Sequence, residues 1–158
     1  MKALLFGLLF LSIKPDFMVI RSEYRAALTS PKHIQTLKSS TKPHIQDALS
    51  LAYYATAVAL EARESSWVPT KIKLANSAHD LLNKAVTKDP NSIEIRFLRF
   101  SFQANTPSML GLQTHVTADK TFLLANIQTS HPMWDVMHAY YKQCSAFSTT
   151  EKQRLNRL

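Results

Sequence analysis

Downstream of Asp16 the apolar residues Phe17, Ile20, Tyr24, Ala27 and Leu28 recur at three- and four-residue steps, the spacing that lines up one face of an α-helix. Pro31 restarts the chain, and Ile34 and Leu37 carry a second, shorter helix. Ser39-Ser40-Thr41-Lys42-Pro43 reads as a turn, with Pro43 where the first turn of a helix tolerates proline. Beyond it runs the longest periodic stretch, through Ile45, Ala48, Leu49, Ala52, Tyr53, Ala55, Thr56, Ala59 and Leu60. Its alanines permit close helix approach and predict the helix at the centre of the fold. Residues 61–69 end it, since Ser65-Ser66 favours helix weakly and Val68 precedes a proline that biases it away from αR.

A further helix follows through Ile72, Ala75, Ala78, Leu81, Leu82, Ala85 and Val86, and Asp89-Pro90-Asn91-Ser92 turns the chain again. Residues 93–104 form a helix bearing Phe97, Phe100 and Phe102, stopped by Asn105-Thr106-Pro107, and Gly111 marks the loop that needs a left-handed residue. Helices over 116–127 and 133–147 come next. A terminal stretch opened by the capping-box pattern Ser148-Thr149-Thr150-Glu151 completes seven or eight helices.

Composition agrees with that pattern. Two glycines in 158 residues leave few positions for the positive φ of tight hairpins, which argues for an all-α chain. The length supports one domain with a real core, over residues 16–158. With 46% hydrophobic and 19% charged residues, neither intrinsic disorder nor a multi-span membrane protein fits.

Residues 1–15 stand apart. Met1-Lys2 and the apolar run 3–13 have the basic and hydrophobic regions of a secretory signal, and the run is shorter than the roughly 20 residues a membrane-spanning helix requires. Lys14-Pro15-Asp16 occupies the place of a small-x-small cleavage site. Three readings result: a signal peptide with a poor cleavage site, an uncleaved anchor or membrane-associated segment within residues 1–20, or a true start at Met18 that leaves the protein cytoplasmic. An exported, periplasmic or envelope location is the first expectation.

A net charge of +8 admits a polyanion or an anionic membrane surface as partner. The basic residues are spread from Lys2 to Arg157, however, without the aromatic-interleaved motif of an RNA-binding sheet, so nucleic acid is disfavoured. The single cysteine, Cys144, excludes an internal disulfide framework and any multi-cysteine metal site.

The stretch Ala78-His79-Asp80-Leu81-Leu82-Asn83-Lys84-Ala85-Val86-Thr87-Lys88-Asp89-Pro90-Asn91 resembles the second helix of a tetratricopeptide repeat and the turn after it, with Ala78 and Ala85 at the two helix-contact positions. That resemblance implies antiparallel helical hairpins in a TPR-like or α-solenoid-like bundle. Pro69 falls inside the repeat's expected first helix, which displaces that helix to residues 43–62 by an insertion. Arginines and phenylalanines follow Pro90 where the repeat has a small residue and a leucine, so a regular array is not expected. The run Asp89-Pro90-Asn91-Ser92-Ile93-Glu94-Ile95-Arg96-Phe97-Leu98-Arg99-Phe100, with His131-Pro132-Met133-Trp134, resembles a group of small exported bacterial helical proteins. This second resemblance implies export and a helical fold, and carries no functional residues.

Among candidate sites, His131, Asp135 and His138 are spaced so that one helix brings them to one side, with His115 and Asp119 four apart on the preceding helix. Two histidines and a carboxylate suit a divalent transition metal. The competing reading puts His131 at a helix start and Asp135 at the positive end of that helix's dipole. Arg96 and Arg99 sit three apart among phenylalanines, so a guanidinium there needs a carboxylate from Glu61, Glu64 or Asp119, or else clamps an anion or a peptide carboxylate.

No small-residue elbow surrounds a serine and no glycine-rich phosphate loop exists, which leaves nucleophilic and nucleotide chemistry without support. The aromatic residues read as core and groove wall, with Tyr53 and Trp134 joining Arg96 and Arg99 as expected binding residues. The expectation is a non-enzymatic exported module without cofactor that binds another protein or peptide between its helix pairs. A metal-dependent enzyme using His131, Asp135 and His138 is one alternative, and a basic nucleic-acid or anionic-lipid binder the other.

Overall fold

The structure, a computed structural model, describes residues 14–158; the apolar segment read above as a signal or anchor lies outside the described residues except at its last positions. Several helices start on a side-chain cap. Asp16 accepts from the backbone N–H groups of Met18 and Val19 and opens α1 (Phe17–Thr29). A 3-10 turn at Pro31–His33 leads into α2 (Ile34–Thr41), and a second at Lys42–His44 follows it. Asp47 accepts from Ser50 N at 2.8 Å and opens α3 (Ala48–Glu64). The long helix therefore begins at Ala48. Pro43 belongs to the 3-10 turn before it, and Ile45 is left 37% exposed outside the helix.

Residues 65–67 connect α3 to α4 (Val68–Lys88), which takes Pro69 into its first turn because a proline's missing N–H costs nothing there. The helix paired with α4 is α3, which overlaps the 43–62 stretch to which Pro69 displaces it. Ser92 caps α5 (Ile93–Asn105), and Gly111 takes φ 66° after the 3-10 turn Ser108–Leu110, the left-handed residue that the sequence required. Next come α6 (Val116–Ala125), α7 (Trp134–Gln143) and α8 (Thr149–Leu155). Ser148 and Glu151 form the complete capping box of α8. The helix expected over 133–147 ends at Gln143, where Cys144 turns extended.

Among the described residues there are eight α-helices and no strand, in one domain. α3 is the central helix, packed by α1, α2, α4 and α5, and its buried positions occupy nearly the whole circumference, from Leu51 and Ala52 to Leu60 and Ala62. Ala75, Ala78 and Ala85 of α4, with Leu82 between them, form a narrow buried stripe whose alanines let the hairpin close tightly. The aromatic core sits between α5 and the C-terminal helices. Phe100 meets Phe147 edge-on at 5.4 Å and Phe97 meets Tyr141 at 5.9 Å, and each fully buried ring contributes roughly 1.5–3 kcal/mol from area alone. None of the described helices is long and apolar enough to cross a membrane.

Candidate functional site

Helix α5 carries charge to two opposite neighbours. Arg96 and Arg99 turn toward α6, where Asp119 is fully buried: Arg99 donates from Nε at 2.7 Å and Nη2 at 2.8 Å, and Arg96 from Nη1 at 2.8 Å. Arg99 also reaches Asn83 of α4 at 3.1 Å, and Arg96 spends Nε on the Pro90 carbonyl and stacks over Phe122. Of the three candidate carboxylates, Glu61 pairs with Lys38 and Glu64 with Arg63, which leaves Asp119 as the partner. The guanidinium groups expected to clamp an anion are thereby engaged inside the fold.

On its other side α5 presents Glu94, 3% exposed. Arg21 of α1 grips it through Nε at 2.9 Å and Nη2 at 2.8 Å, the Tyr53 hydroxyl donates to Oε1, and His131 Nε2 stands 3.6 Å from Oε2. Burial, then the Glu94 charge, pushes the Tyr53 phenol well above its ordinary range. Tyr53, expected on a groove wall, is instead fully buried. Glu94 was not singled out from sequence. Its only local signal is an acid in the first turn of a helix, which exposed helices show equally.

The proposed metal trio does not converge. His131 lies before α7, its Nδ1 accepting from Met133 N and its Nε2 facing Glu94, and burial holds its pKa below the usual imidazole value. Asp135, in the first turn of α7, takes a bidentate pair from Arg25 at 2.7 and 3.1 Å, and that guanidinium holds its carboxyl below the ordinary range. His138 stacks on Trp134 at 5.1 Å, with Nε2 buried and unpartnered. Among the described residues, no three His, Cys, Asp or Glu side chains are placed to hold a metal ion. Trp134 is half-buried between His138 and Tyr141.

The concave surface lies elsewhere. An open groove of about 1040 Å³ runs between α1, α3, α4, α5, α7 and the Ser108–Leu110 turn. Leu60, Phe97, Leu98 and Phe102 give it an apolar floor, and the Arg25–Asp135 pair borders it on the α1–α7 side. On the α3–α4 side stand Arg63 and Lys71, both exposed. Asn105 donates to the Tyr140 hydroxyl at 2.9 Å, which places polar groups on the wall between α5 and α7. These residues form no sequence motif; they come from five helices, α5 supplying the most, and only packing brings them together.

No protein family, curated protein or solved structure matches the chain.

Proposed function

We propose that the chain is a non-enzymatic helical interaction module, acting outside the cytoplasm, which holds an apolar segment of a partner protein in the groove between α1, α3, α4, α5 and α7. The groove itself carries this reading. Small-molecule sites run to roughly 300–1,000 Å³ and enclose their ligands. An open groove of about 1040 Å³ with an apolar floor instead suits side chains presented from a longer chain. Lys71 on the groove rim favours an acidic residue beside the apolar anchors. Export is supported by the basic and apolar start of the sequence.

Panning random peptides against the purified protein tests the groove. Enriched sequences are expected to combine apolar anchors with Asp or Glu. Ala139→Trp, which fills the groove from an exposed position of α7, is expected to weaken them by at least about tenfold. A library that yields no binders, or binders indifferent to Ala139→Trp, rejects the reading.

A further inference from the structure

The junction of α3 and α4 departs from local rules. The N-cap of a helix favours Ser, Thr, Asp or Asn, yet α4 starts on Trp67, with no side-chain bond to its first N–H groups. Trp67 is 68% exposed, Val68 61% and Ile72 38%, so three of the nine large apolar residues left exposed among those described fall within residues 67–72. Val68 and Ile72 are one turn apart and share a face of α4. Met109, 89% exposed, stands on the turn whose Leu110 packs against the small cluster of Ala62, Ala75 and Leu112 near this end of the hairpin. Among the described residues these side chains stand outside the buried core clusters. Apolar residues gathered this way at the end of a helical hairpin mark a contact surface.

The surrounding charge selects the partner. Lys71 and Lys73 are exposed in the first two turns of α4, while Arg63 and Glu64 pair with each other and add no net charge. Lysine is depleted from protein–protein interfaces, whereas tryptophan beside lysine is the composition found where a protein meets lipid headgroups. We infer that the tip of the α3–α4 hairpin docks on an anionic lipid bilayer, with Trp67, Val68 and Ile72 entering the headgroup region and Lys71 and Lys73 facing the lipid phosphates. This contact is separate from the segment before Lys14 and shares only Lys71 with the groove, while Trp67, Val68, Ile72 and Lys73 lie outside it.

The test uses the full chain with Trp134→Phe, which leaves Trp67 as the only tryptophan. Vesicles of phosphatidylcholine alone are compared with vesicles also containing phosphatidylglycerol, each with and without brominated acyl chains. The Trp67 emission is expected to move to shorter wavelength and to be quenched by brominated lipid in the anionic vesicles only. Lys71→Gln and Lys73→Gln are each expected to lower partitioning about fivefold. Because quenching reads the tip itself, vesicle binding through the N-terminal segment with unchanged Trp67 emission overturns the inference. So does a blue shift that grows with protein concentration without lipid, which would assign the tip to a second copy. A tip occupied by a protein partner would leave the emission unchanged in both kinds of vesicle.

Discussion

Glu94 and Asp119 are each buried against arginine, Glu94 at 3% and Asp119 at 0% exposure, but their partners lie at different distances along the chain. Asp119 binds Arg96 and Arg99, one helix back, and so fixes how α6 sits on α5. Glu94 binds Arg21 and Tyr53, from α1 and α3, and faces His131, in the segment before α7, at 3.6 Å. The same chemistry sets a local register in one case and, in the other, ties the first helix to the C-terminal third. A buried pair needs its geometry complete, since desolvation of both charges offsets the attraction and removing one partner leaves the other stranded.

The strongest test of this difference is Asp119→Ala. It leaves Arg99, 6% exposed at its side chain, without a counter-charge, and a loss of about 3–5 kcal/mol is expected in the denaturant unfolding free energy. A loss below about 1 kcal/mol would show that the arginines find water instead. Glu94→Gln keeps one acceptor for Arg21 and Tyr53, and Arg21 is 18% exposed at its side chain, so a smaller loss of roughly 1.5–3 kcal/mol is expected. Its signature is spatial: amide exchange is expected to rise in α1 as well as α5, whereas Asp119→Ala loosens α5 and α6. Equal exchange profiles in the two variants would erase the distinction between a local and a long-range hub.

The smallest effect is a pH dependence. Burial lowers the pKa of His131 despite Glu94, and that of His115 despite Asp119. The unfolded chain then binds more protons just below the ordinary imidazole value of 6.5, so stability is complete above that pH and falls as pH drops toward the lowered values. His131→Gln is expected to flatten that fall. Glu94→Gln removes the anion that supports His131 protonation, lowers its pKa further and steepens the fall; Asp119→Ala does the same through His115. Titrating thermal stability across this range in the three variants checks each sign, and a profile unchanged by His131→Gln would assign the whole dependence to other groups.

Local features of the chain were readable wherever their cause lies within a few residues. The 3.6-residue periodicity, the Ser148–Glu151 box and Gly111 all act through neighbouring backbone, and each stands where the pattern placed it. The start of α3 differs from the pattern because Asp47, three residues before Ser50, caps the helix, while Pro43 serves the 3-10 turn before it. Arg96 and Arg99 announced their need for a carboxylate, since two guanidinium groups on a phenylalanine-rich helix cannot all face water.

Which carboxylate answers that need was a tertiary matter. Asp119 is selected over Glu61 and Glu64 by the packing of α6 on α5, and the other two are taken by Lys38 and Arg63. Tyr53 and Glu94 likewise read as ordinary helix residues until α1 and α3 close on α5. The groove exists only as the space those helices leave. Periodicity and capping are short-range effects that amino-acid order specifies directly. Pairing across 73 residues, as between Arg21 and Glu94, is decided by which apolar faces meet, and many chain orders share the same local pattern without sharing that contact.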